Sequence, residues 1–209
     1  MMIIARMIPS RSPSRPWNQW FHVMGHTYGT WLPGDPKGFR TRHHREHIEG
    51  DYKNPPPSGK YDARWKRAKS LMKRDPVYLN PDQRRRAVEE FVRSFAKWHV
   101  DLRILSIDRI HLHALAQFLH GDPHHFVGLA KKECSAYMKR DGLSRDGGLW
   151  AVRCKCLPIH DLAHFDNVID YIRDHQFAGA VVFEPPSASP AKGAAPAIQW
   201  DFAVDLLID

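Results

Sequence analysis

Two histidines, His111 and His113, stand in a run from Asp108 to Phe118 that alternates in character. A strand turns successive side chains to opposite faces, so Ile110, Leu112, Ala114, Ala116 and Phe118 share one face while His111, His113 and Gln117 share the other. Imidazoles on neighbouring rungs of one face are close enough to hold a metal ion between them. The bland alternative is a pair of surface histidines on a strand's wet face, since short motifs match by accident. A second element, Asp161 to Gln176, tips the balance. Its Phe165, Val168, Ile169 and Ile172 form an apolar stripe at helical spacing, and Tyr171 and His175 lie one turn apart on the edge of that stripe. A phenol and a third imidazole on a helix edge suit a nucleophile beside a completed metal site. An ordinary core-edge aromatic is the commoner reading of such a tyrosine taken alone.

The strand pair His111-Leu112-His113, followed by a late helix with Tyr171 and then His175, resembles the single-tyrosine HUH transposases. These are the insertion-sequence-200-like family with its REP-associated tyrosine relatives. The resemblance spans residues 17–180 and takes in Trp31-Leu-Pro-Gly-Asp35 near its start. It implies a DNA transposase that nicks and rejoins single-stranded, hairpin-bearing DNA through a 5′-phosphotyrosine. Tyr171 would be the nucleophile, and His111, His113 and His175 would hold Mg²⁺ or Mn²⁺. It also implies a homodimer, with the tyrosine helix serving either its own or the neighbouring subunit. An imidazole-rich ligand set suits Mn²⁺ at least as well as the harder Mg²⁺. Three other functions stay open: an HUH nickase of replication or conjugation, a catalytically idle domesticated hairpin-binding protein, and RNA binding by basic residues alone.

The elements that must position these residues follow from periodicity and punctuation. A strand is predicted over Trp17–Thr30. Asn80-Pro81 opens a helix whose Val88, Phe91, Val92, Phe95 and Trp98 share a face. Strands over Leu102–Ile107 and Ile110–Phe118 are joined tightly at Asp108-Arg109, as in an antiparallel hairpin. Asp122-Pro123 starts a helix reaching Lys139, Leu149–Leu157 reads as a fourth strand, and Asp161 caps the last helix. The order βαββαβ predicts an α+β protein, a ferredoxin-like sheet with an appended C-terminal helix. The histidine face is then the one left bare by the two crossover helices, and the last helix is free to cover it. Tyr137, with Lys139 and Arg140 as basic neighbours, is the rival nucleophile, but its helix belongs on the opposite face.

Charge identifies the partner class. The 209 residues carry 31 Lys and Arg against 23 Asp and Glu, a net charge of +8, which points to a polyanion. Much of this lies in an insertion over residues 31–79, where Arg40, Arg42, Arg45, Lys53, Arg64, Lys66, Arg67 and Lys69 are the candidate DNA contacts. Tyr52, Tyr61 and Trp65 are interleaved and offer planes for unpaired bases. A short helix is predicted there, over Asp62–Lys73; a solvated loop that merely aids solubility is the competing reading. Residues 1–16 read as a basic arm, and residues 181–209 as a low-complexity linker and tail. No apolar run approaches the ~20 residues that span a bilayer, so no membrane partner and a cytoplasmic location are expected. Cys134, Cys154 and Cys156 are an odd number of thiols, which argues against a disulfide framework. Cys154 and Cys156 share a face and could hold zinc with Cys134 or His160; core or half-buried thiols are the favoured reading.

Overall fold

The computed structural model describes residues 17, 19–35, 57–145 and 147–186. In chain order the elements are β1 (Trp20–His26), α1 (Asp62–Ser70), α2 (Pro81–Lys97), β2 (Asp101–Ile107), β3 (His111–Gln117), α3 (Pro123–Arg140), β4 (Lys155–Pro158), α4 (Leu162–Asp174), a 3-10 turn over His175–Ala178, and β5 (Val181–Phe183). The five strands form one antiparallel sheet in the order β4-β1-β3-β2-β5. Its first four strands have the connectivity of the split βαββαβ motif, and the protein is α+β.

Helix starts are set by side chains that satisfy orphan amides. Asn80 and Gln83 exchange side-chain and backbone hydrogen bonds at the start of α2, with Pro81 in the first turn. Asp122 accepts from the His124 amide at α3, and Asp161 from the His164 amide at α4.

The sheet separates two cores. Val23, Leu105, Ile107, Leu112, Ala114 and Ala116 face α2 and α3, where Phe91, Phe95, Val127, Ala130 and Met138 are buried. On the other face Ile104 and Leu115 meet Val168, Ile169 and Ile172 of α4, and Trp20 packs edge-on against Phe165 at 5.1 Å. The histidine face is the one that α4 covers, the place the element order left free for it, and the cover is close: His113 is only 8% exposed and Leu115 wholly buried. Burying one such leucine contributes about 1.5–3 kcal/mol, so α4 is held firmly in place.

The first strand is shorter than expected, Trp20–His26 instead of Trp17–Thr30, and three further boundaries differ. The fourth strand begins at Lys155 rather than Leu149, and the residues before it keep only a bridge between Trp150 and Thr27. In that segment the carbonyls of Ala151 and Arg153 accept from Lys131 Nζ at 3.0 and 2.9 Å in place of strand partners. The sheet also continues beyond residue 180. Val181–Phe183 pairs with β2, and Glu184 accepts from Arg173 Nε and Nη2 at 2.7 and 3.2 Å, tying the end of α4 to the sheet edge. The third concerns α1, which stops at Ser70 instead of Lys73.

Within the described part of the insertion, Tyr61, Arg64, Trp65 and Ala68 are the half-buried face of α1. Gly34 lets that helix approach. Its φ is +89°, and a Cβ there would lie 2.5 Å from the Trp65 amide nitrogen. The chain returns along the sheet, where Thr27 Oγ1 donates to Val77 O at 2.7 Å and the Leu79 amide to Arg109 O at 2.9 Å. Among the described residues, no helix is long and apolar enough to cross a membrane.

Candidate functional site

The register of β1 against β3 places His26 opposite His111 and Met24 opposite His113, so β1 adds its own histidines to the same face. His22 Nε2 lies 3.3 Å from His113 Nδ1, and their rings are 5.5 Å apart. Across the face, α4 and the turn after it bring Tyr171 and His175. The His175 ring stacks on His113 at 4.6 Å, and the Tyr171 ring meets His113 edge-on at 5.4 Å, His175 at 4.9 Å and His22 at 5.8 Å. His111 stands 6.1 Å from His113, ring to ring. The four residues singled out by spacing, Tyr171, His111, His113 and His175, thus gather in one place, from a strand and a helix end far apart in sequence.

The electrostatics favour neutral imidazoles. Burial, then the neighbouring His175, His22 and His111, lower the His113 pKa from 6.5 to about 3. Burial likewise brings His22 and His26 to about 4, and lowers His175. At Asp108 burial alone would raise the pKa, but hydrogen bonds from the His111 ring and amide and from the Ile110 amide pull it down to about 2. Its carboxylate lies 3.2 Å from His111 Nδ1, which fixes that ring.

These contacts decide which ring atoms remain for a ligand. Asp108 engages Nδ1 of His111 and His22 engages Nδ1 of His113, leaving each Nε2. His175 Nε2 is buried with no hydrogen-bond partner. A buried polar atom without a partner is costly, and a bound cation is one way to satisfy it. The ligand nitrogens of His111, His113 and His175 do not all lie within 4.8 Å of one another, so the rings would have to draw closer to share one ion. Spacing along the chain does not single out His22 and Asp108. Both leave a signal all the same: His22 lies in the strand-like run before Thr30, and Asp108 sits at the hairpin turn just before His111.

The other sequence candidates separate cleanly. Tyr137 lies on α3 between the guanidinium groups of Arg140 and Arg93, 4.5 and 5.4 Å from its ring, on the opposite side of the sheet. Arg64, Lys66, Arg67 and Lys69 are on α1, with Lys69 Nζ over the Trp65 ring at 4.3 Å. Trp31 at the root of the insertion is 6.5 Å from His26, ring to ring, so the insertion leaves the body beside the histidine face. Arg40, Arg42, Arg45 and Lys53 lie outside the described residues. The zinc partners considered from sequence do not join Cys154 and Cys156: Cys134 is fully buried against Met138, and His160 stacks on His164 at 5.5 Å.

Neutral buried histidines make stability depend on pH in a definite direction. Below 6.5 the unfolded chain takes up protons that folded His113 and His22 refuse, so stability is lost as pH falls and is fully present above that value. Together the two should remove up to about 4 kcal/mol between pH 7 and pH 5. Denaturant midpoints of the chelator-treated protein across that range check this; a flat profile would mean that the pair is hydrated or charged in the fold.

No protein-family model and no curated protein matches the sequence. Among solved structures, the chain is similar to a REP-associated tyrosine transposase bound to a REP hairpin, at a TM-score of 0.44 and 10% identity, covering 77% of this chain and 68% of that one. A likeness of that size carries no argument, and the function rests on the chain's own residues.

Proposed function

We propose that this protein is a metal-dependent, single-tyrosine strand transferase that nicks and rejoins single-stranded DNA bearing a hairpin. One juxtaposition supports it: the phenol of Tyr171 sits edge-on to His113 and His175, on the sheet face that also presents His111. A half-exposed tyrosine ringed by imidazoles suits attack on a phosphodiester better than it suits packing.

In the reaction, the Tyr171 oxygen bonds to the scissile phosphorus as the bond to the 3′ oxygen breaks. The product is a 5′-phosphotyrosine and a free 3′-hydroxyl, and the phenol proton is balanced by the proton the leaving oxygen gains. A second 3′-hydroxyl reverses the step on a new strand, because the phosphotyrosine conserves the energy of the broken bond. Bound at His111, His113 and His175, Mg²⁺ or Mn²⁺ would polarise a phosphoryl oxygen and offset developing charge. Asp108 and His22 orient their histidines, and the T-shaped contacts hold the phenol ring against rotation. Half of Tyr171 is exposed, so an incoming strand can approach it from solvent.

The test is a labelled hairpin oligonucleotide incubated with the full chain and Mn²⁺. A nick and an adduct that survives denaturation are expected, both abolished by chelator. Hairpin binding with no cutting under any divalent ion would leave a binding protein instead.

The basic helix has its own signature. Neutralising Arg64, Lys66, Arg67 and Lys69 should flatten the salt dependence of binding, by roughly 0.7 in log–log slope for each single-strand phosphate that these cations neutralise. An unchanged slope would reduce α1 to a solvated spacer.

A further inference from the structure

On the opposite side of the sheet from the tyrosine, three soft ligands converge. Cys154 Sγ and Cys156 Sγ are 3.9 Å apart, and His124 Nδ1 lies 3.4 Å from the first and 3.8 Å from the second. All three ligand atoms fall within 4.8 Å of one another. We propose that His124, Cys154 and Cys156 form a second metal site, for Zn²⁺ or a similarly thiophilic ion, separate from the histidine–tyrosine cluster.

The edge lengths carry the assignment. With Zn–S near 2.3 Å and Zn–N near 2.0–2.1 Å, a tetrahedral ion sets S···S at about 3.8 Å and S···N at about 3.6 Å. The observed triangle of 3.9, 3.4 and 3.8 Å matches those edges without rearrangement. It does not match a disulfide, whose sulfurs lie about 2.05 Å apart.

Rigid elements present the ligands. His124 is in the first turn of α3, its amide held by Asp122. Cys156 is in β4 opposite Val23, whose side chain belongs to the core beneath α2 and α3. Cys154 comes from the segment that Lys131 anchors through the carbonyls of Ala151 and Arg153. The two thiols are half-buried and His124 is exposed, so three protein ligands face outward with one tetrahedral position open to water or a further ligand. Two thiolates select a softer ion than the three imidazoles across the sheet, which keeps the two sites chemically distinct.

The site does not depend on the strand-transfer reading, and its test reads sulfur directly. The full chain, reduced and stripped with chelator, is titrated with Co²⁺ and then Zn²⁺ while thiolate-to-cobalt charge-transfer absorption is followed. Imidazole sites cannot produce that absorption. One equivalent of band is expected, bleached by Zn²⁺, retained in Tyr171→Phe and His113→Ala, weakened in Cys154→Ser and in Cys156→Ser, and lost when both are replaced. His124→Ala, an exposed change in a helix that keeps its backbone cap, is expected to fold normally and to shift the titration to higher Co²⁺. Absence of the band in the reduced wild-type chain would overturn the assignment, as would its survival in the Cys154→Ser, Cys156→Ser double variant or an unshifted titration in His124→Ala. Free thiols that fall from three to one in air, with no metal taken up under reduction, would make the pair a disulfide switch and likewise overturn it.

Discussion

Tyr171→Phe should bind a hairpin oligonucleotide as tightly as the wild-type chain and form no covalent DNA adduct at all. The substitution removes one oxygen and keeps the ring that meets His113 at 5.4 Å and His175 at 4.9 Å. With the residue 49% exposed and its ring retained, the variant should still fold. The loss is total because the deleted oxygen is the atom that would be esterified. Tyr137→Phe is the matched control: its ring lies against Arg140 and Arg93 across the sheet, where no phenol can reach the histidine face, whatever its acidity. Denaturing gels of both variants with labelled DNA decide the matter. An adduct that persists in Tyr171→Phe and disappears in Tyr137→Phe would reverse the nucleophile.

Replacing His111 or His113 with alanine should weaken Mn²⁺ binding and lower cleavage by a factor of about a thousand or more, since polarisation of a phosphoryl oxygen by a metal is worth several kcal/mol. The two variants should differ in stability. His113 is 8% exposed and engages His22, so His113→Ala leaves His22 Nε2 without its partner in a buried setting, a cost of about 1–3 kcal/mol. His111 is half-buried, and its ring can be removed at lower cost, because Asp108 still accepts from the Ile110 amide at 2.6 Å. Melting curves and Mn²⁺ titrations of both separate metal loss from unfolding. Unaltered Mn²⁺ affinity in both variants would remove the metal from this face.

Much of the architecture is legible in the chain itself. Alternation along residues 110–118 puts Leu112, Ala114 and Ala116 in one core and His111 and His113 on the other side, and the structure keeps that division. Asn80-Pro81, Asp122-Pro123 and Asp161 each mark the start of a helix, because a side-chain oxygen meets orphan amides only a few residues away. The helix stripe of Val168, Ile169 and Ile172 likewise dictates that Tyr171 and His175 stand at its edge, where rings 4.9 Å apart are found. All these are properties of one segment, fixed by the backbone period of 2 or 3.6 residues.

What only the tertiary structure decided are the meetings between segments. Register across β1 and β3 brings His22 to His113, and no local pattern states a register. The element order leaves α4 free to cover the histidine face, but only its packing over Leu115 sets how deeply three imidazoles are desolvated and shifted towards neutrality, since desolvation depends on what covers a group rather than on its neighbours in the chain. The short strand β5 escapes notice because three residues carry too little periodicity, yet Glu184 just beyond it anchors the helix that bears the tyrosine. The imidazole that the structure places beside Cys154 and Cys156 is that of His124, thirty residues before the first of them, while Cys134 and His160 lie elsewhere. Spacing alone places two thiols on one face; the third vertex depends on where α3 begins relative to β4, and on Lys131 holding the carbonyls of the segment that carries Cys154.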